Sequence, residues 1–489
     1  MKKYISIFTI AILLISTLQA CQKDQDDAVG SPSSPTANLE VQNFIWKGLN
    51  QYYLWQTDVP NLADNRFANQ TAKDAFLINY KVPEELFDAL RVGPTIDRFS
   101  WMVDDYVTLE QSLQGTSKNN GVDFGLSYKP NSTTEVFGYV RYIIPGSDAA
   151  NKDIRRGDIF TAVNGTQLTV SNYESLLFGT NDNYTLNMAD YVGTTISSNG
   201  KTVALTKTTL TENPILVKKV ITIGTKKIGY LMYNGFYADF DLQLNTAFGD
   251  FKTQGITDLV LDLRYNSGGS VRTATYLASM ITGQHTGKVF AKQQWNSKIN
   301  AYFEKEDPNG LRNFFTDKIG STPINSVNMS KVYILTTKSS ASASELIING
   351  LKPHVNVVQI GDVTTGKNVG SVTLYDSPDL GPNNKNPKHK YAMQPIVLKI
   401  VNSEGFGDYF NGLTPTHELK ETISTFGTLG DVNEPLLKLA IAKITGTGKM
   451  TTQSTGKQFE FFKDSKSMNP FGNQMYLEKA PAGLQKAFN

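Results

Sequence analysis

A single cysteine, Cys21, and only four histidines occur among the 489 residues, and each scarcity removes a class of chemistry. One thiol cannot close an intrachain disulfide, so a packed core must hold the fold. The histidines, His285, His354, His389 and His417, are scattered, and none stands in a paired-ligand spacing. No metal or other cofactor is therefore expected. Charge of one sign is also missing: 47 basic against 45 acidic side chains leave +2 with no long charged block, so nucleic acid has no footprint here. The apolar run at residues 5–18, preceded by Lys2 and Lys3, is too short and wrongly flanked for a stable membrane span, and reads as an export signal. What remains is ordinary globular material, 40% hydrophobic and 19% charged, long enough for two or three domains.

The apolar run closes with Leu18-Gln19-Ala20-Cys21, which resembles the lipobox of bacterial lipoproteins. The resemblance implies a signal peptide at 1–20, cut before Cys21, and acylation of that cysteine. The chain would then be exported and anchored by lipid to the bacterial cell envelope, on the periplasmic or surface face of the outer membrane. The alternative is a plain secretory signal. Residues 21–37, rich in Asp, Ser, Pro and Gly, carry too little apolar surface to fold and read as a disordered tether.

From 38 to 114, Val41, Phe44, Ile45, Leu49, Tyr52 and Tyr53 recur at helical spacing, which predicts an N-terminal helical domain with a buried aromatic face. From 115 to 212 the texture changes to short alternating strands between Gly, Asn and Pro turns. Within it, Gly157-Asp158, the apolar run Ile159-Phe160-Thr161-Ala162-Val163 and Asn164-Gly165 resemble the signature of the PDZ domain. That resemblance places Gly121, Val122, Phe124, Gly125 and Leu126 at the loop and strand where backbone N–H groups capture a peptide C-terminus. The loop departs from the usual Gly-Leu-Gly-Phe, and a small β domain without a ligand is the alternative. Residues 213–445 alternate strand and helix, with strands expected around Ile228, Leu261, Ile334, Val358 and Leu398, which predicts an α/β core. The stretch 446–489 is polar and Lys-rich and is given no role.

Three segments of the core carry chemistry. In Lys338-Ser339-Ser340-Ala341-Ser342-Ala343-Ser344-Glu345, serines stand between a strand and an apolar helix, where a hydroxyl meets free backbone N–H groups. Alone, this is an ordinary Ser-rich helix cap with a capping acid. Asp262-Leu263-Arg264-Tyr265-Asn266-Ser267-Gly268-Gly269 ends a core strand with exposed glycine amides, and Gly361-Asp362-Val363-Thr364-Thr365-Gly366-Lys367 presents a lysine on a Gly-rich loop. Together, in this order, the three resemble the C-terminal-processing, or tail-specific, serine peptidases over roughly residues 110–440. The resemblance implies a crotonase-like spiral α/β peptidase core preceded by the PDZ domain. It implies Ser342 as nucleophile, Lys367 as general base twenty-five residues on, and an oxyanion hole from Ala343 with Gly268 or Gly269. Its substrates would be polypeptides with free C-termini. Where the family often carries a Gln that holds the lysine amine, this chain has Ser371, whose hydroxyl is the candidate replacement.

The demand on Lys367 is physical: an amine with an ordinary pKa of about 10.4 must be neutral to take a proton from Ser342. Bringing it near neutrality takes roughly 4 kcal/mol, within the reach of desolvation. Of the histidines, His354 is the one from which a Ser-His arrangement could be built, and a surface helix-end role is its bland reading. Two other functions fit parts of the sequence: a catalytically inactive peptide-binding surface lipoprotein, and a carbohydrate-capturing lipoprotein suggested by the anchor and the aromatics.

Overall fold

Runs such as Leu259-Val260-Leu261, buried on both faces, build the central sheet of the protein, whose computed structural model describes residues 38–192, 195–447, 459–468 and 472–488. The export signal, Cys21 and the tether lie outside the described residues. Strands Ile215–Ile223, Lys226–Tyr233, Asp258–Asp262, Lys331–Thr336, Asn356–Gly361 and His417–Glu418 lie side by side in that order. All but the first pair run parallel. Helix Asp241–Gln254 is one of the crossovers and ends on Gly255 with φ 64°, a left-handed stop that glycine adopts without strain.

A second six-stranded sheet runs Gly269–Ser270, Met475–Leu477, Val369–Val372, Ile396–Asn402, Val289–Trp295, Arg312–Phe314. Helix Ala343–Leu351, every residue of it buried, packs among the strands, with Leu346, Ile347 and Ile348 in the main core. The protein is thus α/β, as expected. Most strands of residues 115–212 lie in a third, antiparallel sheet around Phe124, Leu126, Val140, Phe160 and Leu186.

The helices expected at 38–114 form at Glu40–Tyr52, Gln70–Leu77, Pro83–Ala89 and Tyr106–Leu113. They are not walled off: Phe44, Leu49 and Leu86 share one core with Phe290, Leu346 and Met393. Strand Trp101–Val103 also pairs with Ala392–Gln394. The part left without a role, 446–489, is woven in at both ends of its described length. Phe461–Asp464 adds an edge strand to Val122–Tyr128, and Met475–Leu477 is an interior strand of the second sheet.

Candidate active site

Strand Lys331–Thr336 leads through a serine-rich turn into helix Ala343–Leu351. Each serine of the turn has its own task. Ser340 Oγ donates to Leu263 O at 2.8 Å and Ser344 Oγ to Asn266 O at 2.9 Å. Ser339 Oγ donates to Asp464 at 2.6 Å and accepts from Arg141 at 2.8 Å. Ser342 differs: its hydroxyl is buried and donates to no group among the described residues. Its backbone is also unusual, with φ 64° and ψ −115°, a conformation a side-chain-bearing residue keeps only where its surroundings impose it. Ala343, just behind it, opens the helix with an N–H that no turn of the helix can use.

The glycine loop is pinned against this turn. Arg264, fully buried, is bound by Asp262, Glu434 and Glu421, and its carbonyl accepts from Thr337 Oγ1. Asn266 donates to Tyr233 O at 2.8 Å, and its own carbonyl accepts from Ala341 N–H at 3.1 Å. Gly268, at φ 114°, lies so close to the serine that an added Cβ would stand 2.6 Å from Ser342 Cβ and 2.8 Å from its Oγ. Only glycine permits that approach. The Gly268 N–H donates to Asn266 Oδ1 at 2.9 Å, and the Gly269 N–H to Gln474 O at 2.5 Å. Both candidate oxyanion donors of the loop are therefore engaged in this state.

Lys367 is 1% exposed. Its amine stands 4.8 Å from the centre of the Phe99 ring and donates to Asn473 O at 2.6 Å. Desolvation lowers its pKa from the ordinary 10.5 to about 7; Asp97 and Glu345 pull the other way, and Arg98 adds to the fall. No hydrogen bond joins the Lys367 amine to the Ser342 hydroxyl. Their backbones are tied instead through Glu345. One carboxylate oxygen accepts from Ser342 N–H at 2.7 Å and Lys367 N–H at 2.8 Å; the other accepts from Gly366 N–H at 2.6 Å and Thr364 Oγ1 at 2.5 Å. Burial pushes this carboxyl up against the pull of those four donors. Arg98 closes the lysine loop from outside, donating to Gly366 O at 2.6 Å and stacking on Phe410 at 3.8 Å.

The Ser342 turn, the glycine loop and the Lys367 loop are thus tied together through Glu345 and the close approach of Gly268 to Ser342, and Ser371 does not reach the Lys367 amine as expected. Its strand, Val369–Val372, pairs with Met475–Leu477, and that register turns the Ser371 hydroxyl onto Met475 O at 3.3 Å. The amine is held by the Asn473 carbonyl instead. In the β domain, Leu126 is buried in the core, and the loop amides of Gly121 and Val122 are not free to capture a carboxylate. They close short turns onto the Asn119 and Asn120 side chains, at 2.9 and 3.1 Å. Phe124 N–H donates to Ser465 Oγ at 3.2 Å, and Gly125 lies opposite Asp464. A cavity of about 210 Å³ runs from Val122 and Phe124 to Gly268 and Gly269. His354 bonds Val289 O at 3.0 Å and packs edge-on to Phe315, with no bond to Ser342.

Sequence reasoning passed over Glu345 except as a capping acid, although Ser-x-x-Glu at a helix start was its signal. Asp97, Arg98, Phe99, Asn473 and Gln474 carried no local signal at all, because they reach the site from the two ends of the chain.

Residues 227–380 match the family described as Peptidase family S41, and residues 40–101 match the Peptidase S41 N-terminal domain. The chain is similar to the chloroplastic C-terminal processing peptidase of Tetradesmus obliquus, 25% identical over 260 residues, 50% of this chain and 51% of that protein. It is also similar to the carboxyl-terminal-processing protease of a Picosynechococcus species, 25% identical over 284 residues, 56% of this chain and 60% of that protein. The chain spans about half to two thirds of the length of these curated relatives. An S41 protease from Bacteroides fragilis has a similar solved structure, with a TM-score of 0.63 and 27% identity, covering 82% of this chain and 97% of that one.

Proposed function

Because the chain belongs to peptidase family S41, we propose that it is a serine endopeptidase of the C-terminal-processing type, acting through Ser342 and Lys367 on protein substrates near their C-termini. The observation that carries this reading is the buried Lys367, its amine brought to about 7, on a loop tied through Glu345 to the turn that holds Ser342, the one serine hydroxyl of that turn that donates to no group. In the proposed reaction the neutral amine leaves Asn473 and takes the Ser342 proton. The Ser342 oxygen attacks the peptide carbonyl, and the amine returns the proton to the leaving nitrogen. The Ala343 N–H, joined by a glycine amide once freed, stabilises the oxyanion, and water then hydrolyses the acyl-enzyme.

The reading includes a PDZ domain at 115–212 that engages the substrate tail, supported by the antiparallel sheet whose strand Val122–Tyr128 takes up an extended segment, Phe461–Asp464, along its edge. It also includes a crotonase-like spiral core, for which the two interleaved six-stranded sheets speak. Cys21 is proposed as the lipid anchor to the cell envelope, on the motif that precedes it. Incorporation of labelled fatty acid, abolished by Cys21→Ser, is the expected result there.

One observation favours a second reading, a catalytically inactive peptide-binding lipoprotein: the Lys367 amine and both glycine amides are engaged elsewhere. A fluorophosphonate probe separates the two. Labelling of Ser342 that is lost in Lys367→Ala supports the peptidase; a folded parent protein that takes no label on Ser342 and leaves unfolded proteins uncut refutes it.

A further inference from the structure

The two places where an external polypeptide would have to lie are filled by the chain's own C-terminal part. Strand Phe461–Asp464 pairs antiparallel with Val122–Tyr128, Phe461 opposite Ser127 and Asp464 opposite Gly125. Tyr128 N–H extends the ladder to Glu460 O at 3.0 Å. The C-terminal end of the added strand points toward Val122, the direction of a peptide laid on that edge with its end at the loop. Its side chains fill the groove between this edge and helix Tyr173–Leu177. The Phe462 ring meets Tyr128 at 5.3 Å and Tyr173 at 5.2 Å, both edge-on, and Lys463 donates to the Tyr173 hydroxyl at 2.9 Å. Asp464 is buried, its carboxylate bonded to Ser339 Oγ and 3.5 Å from Arg141. Farther along, successive carbonyls occupy the cleft: Asn473 O holds the Lys367 amine and Gln474 O holds the Gly269 N–H. A second chain cannot make either contact while these are in place.

We propose that residues 459–464 and 473–474 are an intramolecular peptide ligand that keeps the site latent. The external partner that displaces it is an extended peptide with an aromatic side chain two residues before a carboxylate, as Phe462 stands to Asp464. The activity arm of this inference rests on the peptidase reading; the binding arm does not. The aromatic side chain takes the place of Phe462 between Tyr128 and Tyr173. The carboxylate, from a side chain or from a chain terminus, takes the place of Asp464 beside Arg141 and Ser339. Release of the edge strand and of the two carbonyls frees the base and the hole together.

Binding of a fluorescent peptide with the sequence of residues 459–466 to the Ser342→Ala chain tests the assignment without catalysis. Releasing the native segment by Phe462→Ala with Asp464→Ala is expected to tighten peptide binding about tenfold, because the competent fraction rises. In a Cys21→Ser chain, Ser127→Cys with Phe461→Cys joins directly opposed strand residues, a separation a disulfide can bridge. The oxidised form is expected to bind no peptide and the reduced form to regain binding. A second peptide, with Ala at the Asp464 position and a free terminal carboxylate there, decides which carboxylate is read. With Ser342 intact, cleavage of a quenched reporter is expected to rise about tenfold in the released chain and to fall in the oxidised locked one. A released chain that keeps its melting temperature yet binds peptide no better overturns the proposal, as does an oxidised chain that binds like the reduced one. Binding shifts as expected with no cleavage in any form refute the peptidase reading and leave the ligand assignment standing.

Discussion

Replacing Lys367 by methionine should make the protein more stable at neutral pH while ending its chemistry. The fall of the amine from 10.5 to about 7 comes from burial beside Phe99. At about 1.4 kcal/mol for each tenfold loss of proton affinity, keeping this group buried costs roughly 4 kcal/mol at pH 7. Between pH 7 and 10 the unfolded chain holds a proton that the folded chain has released, so the stability of the parent rises with pH across that window. Below pH 7 both states are protonated and the cost is complete. Methionine has a similar reach and no charge, so Lys367→Met removes the cost but leaves Asn473 O without its charged donor, a loss of about 2 kcal/mol. The expected net gain is about 2 kcal/mol at pH 7, shrinking and reversing toward pH 10, read by urea unfolding of both proteins at the two pH values. A variant less stable than the parent at pH 7, or a difference that does not change with pH, would refute the account of a desolvated amine.

Three further outcomes are expected. The kcat/KM of the parent should rise about tenfold per pH unit below about 7 and level off above it, because only the neutral amine can take the Ser342 proton; an acid-side plateau in the profile would contradict this. Glu345→Gln places an amide N–H₂ among four donors, so kcat should fall about 10- to 100-fold with KM nearly unchanged. The same variant should shift the pH midpoint downward, since the Glu345 charge holds the Lys367 pKa up. Gly268→Ala would set a Cβ 2.3 Å from Gln474 O and 2.6 Å from Ser342 Cβ at a φ of 114°, and Ser342 labelling by a fluorophosphonate should disappear in a protein that still folds.

The inner strands of the central sheet were legible because they are buried on both faces. Ile228-Gly229-Tyr230-Leu231 falls inside Lys226–Tyr233, and Leu259-Val260-Leu261 inside Asp258–Asp262, each an unbroken apolar run between polar breaks. Ser342, Gly268 and Lys367 were singled out only by the resemblance of three ordered segments to a known family, since each segment alone reads as a helix cap, a strand-ending turn or a surface charge; folding ties the three segments together through Glu345 and the close approach of Gly268 to Ser342. The second sheet left fainter marks: Gly269–Ser270 is two residues long, and Met475–Leu477 three. Phe461–Asp464 is an edge strand whose pairing is made by backbone, which sequence does not display. The fate of Ser371 depended on register against Tyr476 rather than on distance in sequence from Lys367. Phe99 and Asn473 are hundreds of residues apart and meet the same amine only after folding, so neither could be assigned from its neighbours.

That last meeting has a temporal consequence. The loop between helix Pro83–Ala89 and strand Trp101–Val103 delivers the ring that dries the lysine, and the turn before strand Met475–Leu477 delivers the carbonyl that holds it. A growing polypeptide still missing those last residues therefore has the ring over its lysine but neither the Asn473 carbonyl on the amine nor the Gln474 carbonyl on the Gly269 N–H. On the proposed reading, the part of the chain that restrains the base and the hole is the last to be made, so the latent state is complete only when synthesis is.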